Sequence, residues 1–372
     1  MEVLQDNFSI LAFIGVWKPI DLTDRWKSFL FYIYALVVTF MSYWFLITEI
    51  IGLAVYTKNI NDFVANVFIV TALFTGCIKV TCFQRNRATF IDIINNLKRG
   101  FFEPQSQEEL NIWEKRARKN RKISIYAYFW LLVGLEAITM AVLSSETINN
   151  RLLVFQAWLP YNYTTSTTIY WISSLEQLIA VHILGLVNFS FNLIFFGIMV
   201  NICIQMRILK LRYRNAITTD NLLTENPPGK LLEAKKLIQV FADCHISIIK
   251  LQVHSLFSTI VTIQYFVSAI TLCTSAYNIT KEQFGSYNFM LTIFYMHNIT
   301  IELFLVCVSS NEVTHEFSDL ADGFYDCEWY SVNNPSKISI AIMMTNTVKP
   351  VNFTCAYVIY LSLESFTRVS KL

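Results

Sequence analysis

The chain has 372 residues, of which 54% are hydrophobic and 15% charged, and its mean hydropathy is +0.44. A soluble domain carries about 25% charged residues, so the composition excludes an ordinary soluble protein and predicts a multi-pass membrane protein. The formal net charge of +2 gives no argument for nucleic-acid binding.

The first 27 residues mix charged side chains with short apolar runs, without the isolated apolar core of a cleavable signal peptide. We therefore expect the first membrane span to target the protein. Since about 20 apolar residues cross a bilayer, the sequence predicts an all-α polytopic protein with seven spans. They form a single domain over residues 1–372. In chain order the spans are residues 28–53, 64–83, 123–143, 170–204, 250–276, 288–309 and 338–372.

Lysine and arginine are distributed unevenly between alternate loops. The N-terminal segment carries three of them, residues 84–122 carry ten and residues 205–249 carry seven. By contrast, residues 54–63, 144–169 and 277–287 carry one each. Because loops rich in lysine and arginine stay in the cytoplasm, we expect a cytoplasmic N-terminus and an extracellular C-terminus, the reverse of a G-protein-coupled receptor.

Sequons of the form Asn-x-Ser/Thr occur six times, and the predicted topology sorts them. Asn7 is cytoplasmic, and three sequons lie in or near spans, at Asn188, Asn298 and Asn352. Asn162 and Asn278 face outside. Since Asn278 lies close to its span, Asn162 is the predicted glycosylation site.

Polar side chains inside membrane spans are costly and often functional. Here the candidates are Lys79, Glu136, Glu176, His182, His297, Glu302 and Glu364. Hydrogen bonding between helices is the simpler explanation for most of them. The outward halves of three spans nevertheless place Glu136, Gln177 and His297 where a polar-lined pocket would open. The basic run at residues 113–122 fits either the positive-inside rule or binding of anionic lipid headgroups.

The last predicted span contains Lys349-Pro350 at its middle. Proline ends or kinks a helix, and a lysine at the centre of a span costs about 2.5–3.5 kcal/mol. The pair predicts a broken helix whose junction lies outside the lipid.

No enzyme motif is present: the sequence has no GxSxG, no HExxH, no phosphate loop and no paired carboxylates. The eight cysteines show no metal-ligand spacing, and none of the predicted outer loops holds a pair of them. We therefore expect neither an enzyme, nor a cofactor, nor a bound metal, nor a structural disulfide.

Several patches along the chain carry a specific signal, namely GVWKP at residues 15–19, Trp158 and Pro160, Tyr325, Trp329 and Tyr330, Lys349-Pro350, and the LSLESF segment from Leu361 to Phe366. Together these patches resemble the insect odorant receptors. Gustatory receptors share this architecture, but CAYVIY lacks their threonine before Tyr357. A gustatory-type channel, a secondary transporter and a G-protein-coupled receptor remain the alternatives.

The resemblance implies one subunit of a tetrameric, odorant-gated, non-selective cation channel in the dendritic plasma membrane of olfactory sensory neurons. The short loop between spans four and five is typical of a tuning subunit, which pairs with a co-receptor. Its ligand would be a small, volatile, apolar molecule. Family members usually continue beyond the LSLESF segment, so either the chain is truncated or its outer gate is unusual.

The resemblance also implies residue roles. The ligand pocket would lie in the outer half of the membrane, at Phe68, Ala72, Leu131, Gly134, Ile138, Tyr170, Gln177, Phe289, Ile293 and Met296. The pore would be lined by a helical stripe at Thr354, Val358, Leu361, Ser365 and Val369. Lys349 and Pro350 would mark the helix break, and Tyr325, Trp329 and Tyr330 would form an aromatic patch in the cytoplasmic anchor.

Overall fold

The structure is a computed structural model. It describes residues 2–98, 104–143, 145–153, 155–222, 253–326, 337–338, 341, 354–355, 359–360 and 362–369. Apart from two very short strands, the elements of these residues are α-helices. The helices are α1 (Glu2–Phe13), α2 (Arg25–Tyr56), α3 (Ile60–Arg85), α4 (Arg87–Lys98), α5 (Gln107–Val142), α6 (Ser145–Asn149), α7 (Thr167–Leu222), α8 (His254–Lys281), α9 (Tyr287–Tyr325) and α10 (Leu363–Val369).

Six of these helices are long and apolar enough to cross a membrane, namely α2, α3, α5, α7, α8 and α9. They coincide with the first six predicted spans, which confirms a polytopic helical membrane protein. Helix α7 is central, because it packs against α1, α2, α3, α5 and α9 and is buried along most of its middle. With 56 residues, it is about 84 Å long at 1.5 Å per residue.

Helices α5, α7 and α9 are much longer than the apolar spans inside them. All three extend toward the side predicted to be cytoplasmic, and charged side chains there join one helix to another. Arg116 of α5 donates to Glu312 of α9 at 3.0 Å and to Glu316 at 3.5 Å. Arg207 of α7 pairs with the same Glu316. We call these four residues the inner ionic cluster. The apolar periodicity ends before these segments, so span length alone does not predict them.

A second ion pair ties the start of α5 to α7 on the same side. Arg212 donates from Nε and Nη2 to the two carboxylate oxygens of Glu109, at 2.8 and 2.7 Å. Burial alone would raise the pKa of Glu109. The hydrogen bonds from Arg212 and from the backbone N–H of Gln105 outweigh it and hold that pKa below its ordinary value.

The N-terminal segment folds back against α3 and α4. Trp17 is buried, and its ring packs on Phe8 at 4.5 Å and on Phe90 at 5.9 Å between centroids. Gly15 has a φ of 80° and lies against the ring of Tyr34, so a side chain there would be both strained and obstructed. The GVWKP segment is therefore a packed corner of the fold.

The C-terminal segment departs from the prediction. Thr354–Cys355 and Ile359–Tyr360 pair as antiparallel strands β1 and β2, and helix α10 begins only at Leu363. The helix predicted after the break at Lys349-Pro350 is therefore wrong for the strand residues. The segment is rich in β-branched and tyrosine residues, which favour extended backbone.

The predicted pore stripe needed that continuous helix. Thr354 lies on β1, whereas Ser365 and Val369 lie one turn apart on α10, so the described backbone does not place the stripe on one helix face. The other predicted residues of this region lie outside the described part of the chain. They are Trp329, Tyr330, Lys349, Pro350, Val358 and Leu361.

Candidate ligand-binding site

Helices α3 and α7 approach closely at a glycine. A Cβ on Gly76 would lie 2.9 Å from Cδ2 of Leu184 and 3.2 Å from the side-chain nitrogen of Asn188, so a larger residue would require these side chains to shift. At the same level the side-chain amide of Asn188 donates to the backbone carbonyl of Ala72 at 3.3 Å. The structure thus places Ala72 at a tight, hydrogen-bonded helix interface.

Helices α3 and α9 meet through two aromatic side chains. The rings of Phe68 and Tyr295 lie 4.9 Å apart, and the Tyr295 hydroxyl donates to the Phe68 carbonyl at 2.9 Å. Hydroxyl donation to a helix carbonyl fixes the ring of Tyr295, which leaves one wall of this interface aromatic and rigid.

Helices α5 and α9 meet at Gly134. A Cβ there would lie 3.3 Å from the side-chain nitrogen of Asn298, and the absence of one lets that amide approach the α5 backbone. One turn earlier, Trp130 lies between Phe294 and His297, with centroid distances of 5.5 and 4.8 Å. This interface therefore combines a small residue with a large aromatic cluster.

Helices α5 and α7 form the fourth interface. Leu131 and Leu135 are buried, and their side chains lie 3.6 and 3.4 Å from the position that a Cβ on Gly185 would occupy. These are ordinary van der Waals contacts. Phe68, Ala72, Leu131 and Gly134 thus lie at four separate interfaces, α3–α9, α3–α7, α5–α7 and α5–α9. We call this set of interfaces the four-helix site.

Two amide oxygens in the four-helix site have no hydrogen-bond partner among the described residues. They are Oδ1 of Asn188 and Oδ1 of Asn298, and both atoms are buried. A buried acceptor without a partner costs about 1–3 kcal/mol. A small ligand with a hydroxyl group would remove that cost by donating to either oxygen.

A charged pair lies next to the four-helix site. Lys79 of α3 is 0% exposed, and its ammonium lies 3.4 Å from the Asn188 carbonyl and 5.3 Å from the Phe191 ring centroid. Glu302 of α9 interacts with it electrostatically and accepts a hydrogen bond from Gln264 at 3.5 Å. Lys79 and Glu302, both identified as candidates from the sequence, are thus near enough for their charges to interact, while their hydrogen bonds go to Asn188 and Gln264.

Tyr170 and Gln177, which were predicted to line the ligand pocket, make hydrogen bonds to backbone carbonyls. The Tyr170 hydroxyl donates to the carbonyls of Thr147 and Leu152 at 3.3 and 3.2 Å. The Gln177 amide donates to the carbonyl of Phe155 at 3.2 Å. Both side chains hold the loop between α5 and α7, so their polar groups are already used by the protein's own backbone.

The remaining predicted pocket residues are more scattered. Ile138 packs against the large core cluster, and Phe289 contacts Phe284 at 5.2 Å near the start of α9. Ile293 is exposed, and Met296 is half-buried.

The sequence did not predict the contacts of Tyr295, Asn188 and Asn298 at the four-helix site. The two asparagines were interpreted only as sequons, although a side-chain amide within an apolar span is itself a signal of a buried polar contact. Tyr295 could not be distinguished from the many other aromatic residues without knowing which helix it faces.

Comparison with known proteins gives consistent matches. A sequence model described as 7tm Odorant receptor matches residues 59–372. Odorant receptor Or1 of Anopheles gambiae is 23% identical over 388 aligned positions, which cover 97% of this chain and 91% of that protein. Odorant receptor 33b of Drosophila melanogaster is 24% identical over 347 positions, covering 91% and 87%.

The fold is also similar to a solved structure. The insect olfactory receptor OR5 from Machilis hrabei superposes with a TM-score of 0.85 over 99% of this chain and 94% of that one, at 16% identity. Its complex with eugenol superposes equally well. At this identity the match establishes a shared fold.

Proposed function

Because this chain belongs to the 7tm odorant receptor family, we propose that it is the odorant-binding, tuning subunit of a heterotetrameric, odorant-gated cation channel. The observation that carries the proposal is the family match across residues 59–372. Family membership makes the chain a multi-pass membrane receptor rather than an enzyme. It also decides against the gustatory-receptor, transporter and G-protein-coupled-receptor alternatives.

The N-terminus would be cytoplasmic. Support comes from α5, α7 and α9, which all extend on the side where lysine and arginine are concentrated. On the opposite side Asn162 is exposed, and its Oδ1 accepts a hydrogen bond from the Thr164 hydroxyl at 2.7 Å. That sequon is accessible to the glycosylation machinery if the loop is outside the cell.

The odorant would bind in the four-helix site. Apolar contacts from Phe68, Ala72 and Leu131 suit a small volatile molecule. The side-chain oxygens of Asn188 and Asn298 could each accept a hydrogen bond from a ligand hydroxyl. Binding there would change the packing of α9 against α3 and α5. Since a ligand shifts a conformational equilibrium only by its differential affinity, the open state must hold these helices in the arrangement that fits the ligand better.

The channel would be completed by a co-receptor subunit and would conduct cations through a pore to which Ser365 contributes. Helix α10 is held to the bundle, because Tyr265 of α8 donates to the Ser365 carbonyl at 3.1 Å and Phe366 packs on Phe304 of α9 at 5.4 Å. Helix α9 contributes both to the four-helix site and to this contact. A shift of α9 on ligand binding would therefore reach α10 directly.

The test replaces Gly134 by leucine in cells that express this chain with a co-receptor. A leucine would project into the space now occupied by Asn298. We expect odorant-evoked current to be lost while surface expression is retained, across a panel of volatile molecules. The matched control is Leu132→Phe, since Leu132 lies on the same helix but is exposed.

Two outcomes would contradict this proposal. Unchanged odorant sensitivity in Gly134→Leu would remove the four-helix site from ligand binding. Robust odorant-evoked current from this chain alone, without a co-receptor, would overturn the assembly.

A further inference from the structure

A cavity of about 190 Å³ lies between α1, α5 and α7, well separated in sequence from the four-helix site. Its apolar lining includes Leu4, Val200 and Ile204. Its polar lining includes Asn120, Arg118 and Arg121. These residues precede the predicted third span or end the predicted fourth, so the cavity lies at the membrane boundary on the basic side.

The cavity is built by a close approach of α1 to α7. A Cβ on Gly197 would lie 3.2 Å from Cδ2 of Leu4, so the glycine allows the N-terminal helix to pack over this part of α7. The apolar lining is thus supplied by two helices, and a free inorganic anion would gain nothing from it.

Asn120 is the polar group inside. It is 5% exposed, and its Oδ1 has no hydrogen-bond partner among the described residues. An unpartnered buried acceptor is costly, and a ligand hydroxyl would satisfy it. A ligand with a donor at this end matches the cavity better than one that carries acceptors alone.

Two arginines complete the cavity at its exposed side. Arg118 pairs with Glu114 at 3.8 Å, but both side chains are exposed, and such pairs are weak and easily exchanged. Arg121 has no ion-pair partner in the described part of the chain. Guanidinium groups bind phosphate oxygens in a bidentate manner, so an anionic phosphate is the complementary group.

We propose that this cavity binds a phosphoinositide of the inner leaflet, with its phosphate on Arg118 and Arg121, a headgroup hydroxyl on Asn120 and its apolar part against Leu4, Val200 and Ile204. The proposal rests on the cytoplasmic orientation given above and not on odorant binding. A general attraction between basic residues and anionic lipid is the competing explanation, because it needs no cavity.

The experiment uses the full-length chain in phosphatidylcholine nanodiscs, without odorant or current recording. The affinities for a fluorescent phosphatidylinositol 4-phosphate and for phosphatidylserine, compared at equal added charge, give a preference ratio. One additional hydrogen bond corresponds to about fivefold in affinity, and the inositol phosphate offers the two arginines a phosphate that phosphatidylserine lacks. We therefore expect a preference of at least about fivefold for the phosphoinositide. The soluble inositol phosphate headgroup is measured in the same way. If it binds with the same preference over phosphatidylserine as the lipid does, a membrane lipid is overturned as the source of the bound phosphate.

Variants distinguish the cavity from general attraction. Arg118→Gln with Arg121→Gln, and separately Asn120→Leu, should bring the preference close to one. The arginines are exposed, so their double variant tests the proposal even if Asn120→Leu does not fold. The control is Lys115→Gln with Lys119→Gln, because these lysines lie on the same helix but do not line the cavity. The control should weaken the binding of both lipids alike and leave the preference ratio unchanged. An equal fall of the preference ratio in the control and in the cavity variants refutes the site.

Discussion

The inner ionic cluster gives the sharpest stability prediction. Replacing Glu316 by glutamine keeps the size of the side chain but removes the charge shared by Arg116 and Arg207. Breaking a fully buried ion pair costs about 3–5 kcal/mol. Here the side chain of Glu316 is 9% exposed, but that of Arg207 is 42% exposed and can be solvated. Arg116 also keeps Glu312 at 3.0 Å. We therefore expect a loss of about 1–2 kcal/mol.

The measurement is the thermal unfolding midpoint of the detergent-solubilised chain. A loss of this size should lower the midpoint by about 2–8 °C, given a shift of roughly 2–4 °C per kcal/mol in large domains. The matched control is Glu364→Gln, which breaks the Arg368 pair whose side chains are 77% and 74% exposed. Exposed pairs contribute little, so its midpoint should hardly move. Equal shifts in the two variants would refute the role of burial at the inner ionic cluster.

Three further predictions follow from the outer loop and the C-terminal helix. In Gly52→Ala the new methyl would overlap the carbonyl oxygen of Gln156, so we expect about 1–3 kcal/mol of destabilisation. The control is Gly185→Ala, whose methyl would meet only ordinary van der Waals contacts, and its thermal unfolding midpoint should be unchanged. Ser365→Glu should change cation permeability in co-receptor channels, and unaltered permeability with intact current would exclude Ser365 from the pore. Asn162→Gln should abolish a glycosidase-sensitive gel shift, and an identical shift in both proteins would place the glycan elsewhere.

The sequence predicted the six membrane helices because apolar length is a local property, set by the thickness of the bilayer. It did not predict that α5 and α9 continue beyond the membrane, because that continuation depends on partners such as Arg116 and Glu312, which are distant in sequence. The strand at Thr354–Cys355 was missed for a related reason. Its residues favour extended backbone, but an expected membrane span favoured a helix.

The candidate site was predictable only in part. Small and apolar residues such as Ala72 and Gly134 mark where helices approach, so a pattern of small residues was informative. The hydrogen bonds of Tyr170 and Gln177 were not predicted, because they go to a loop whose path no local rule gives. An unpartnered polar group such as Oδ1 of Asn188 can be identified only when the positions of all the packed helices are known.

Helix α7 is one uninterrupted rod from the four-helix site to the inner ionic cluster. Asn188 and Arg207 are 19 residues apart on it, a separation of about 28 Å along the axis. If the helix tilts as a rigid body about Asn188, a tilt of about 3° displaces Arg207 by roughly 1.5 Å. Such a displacement exceeds the distance range of a hydrogen bond. A small tilt of α7 at Asn188 would therefore change the distance between Arg207 and Glu316.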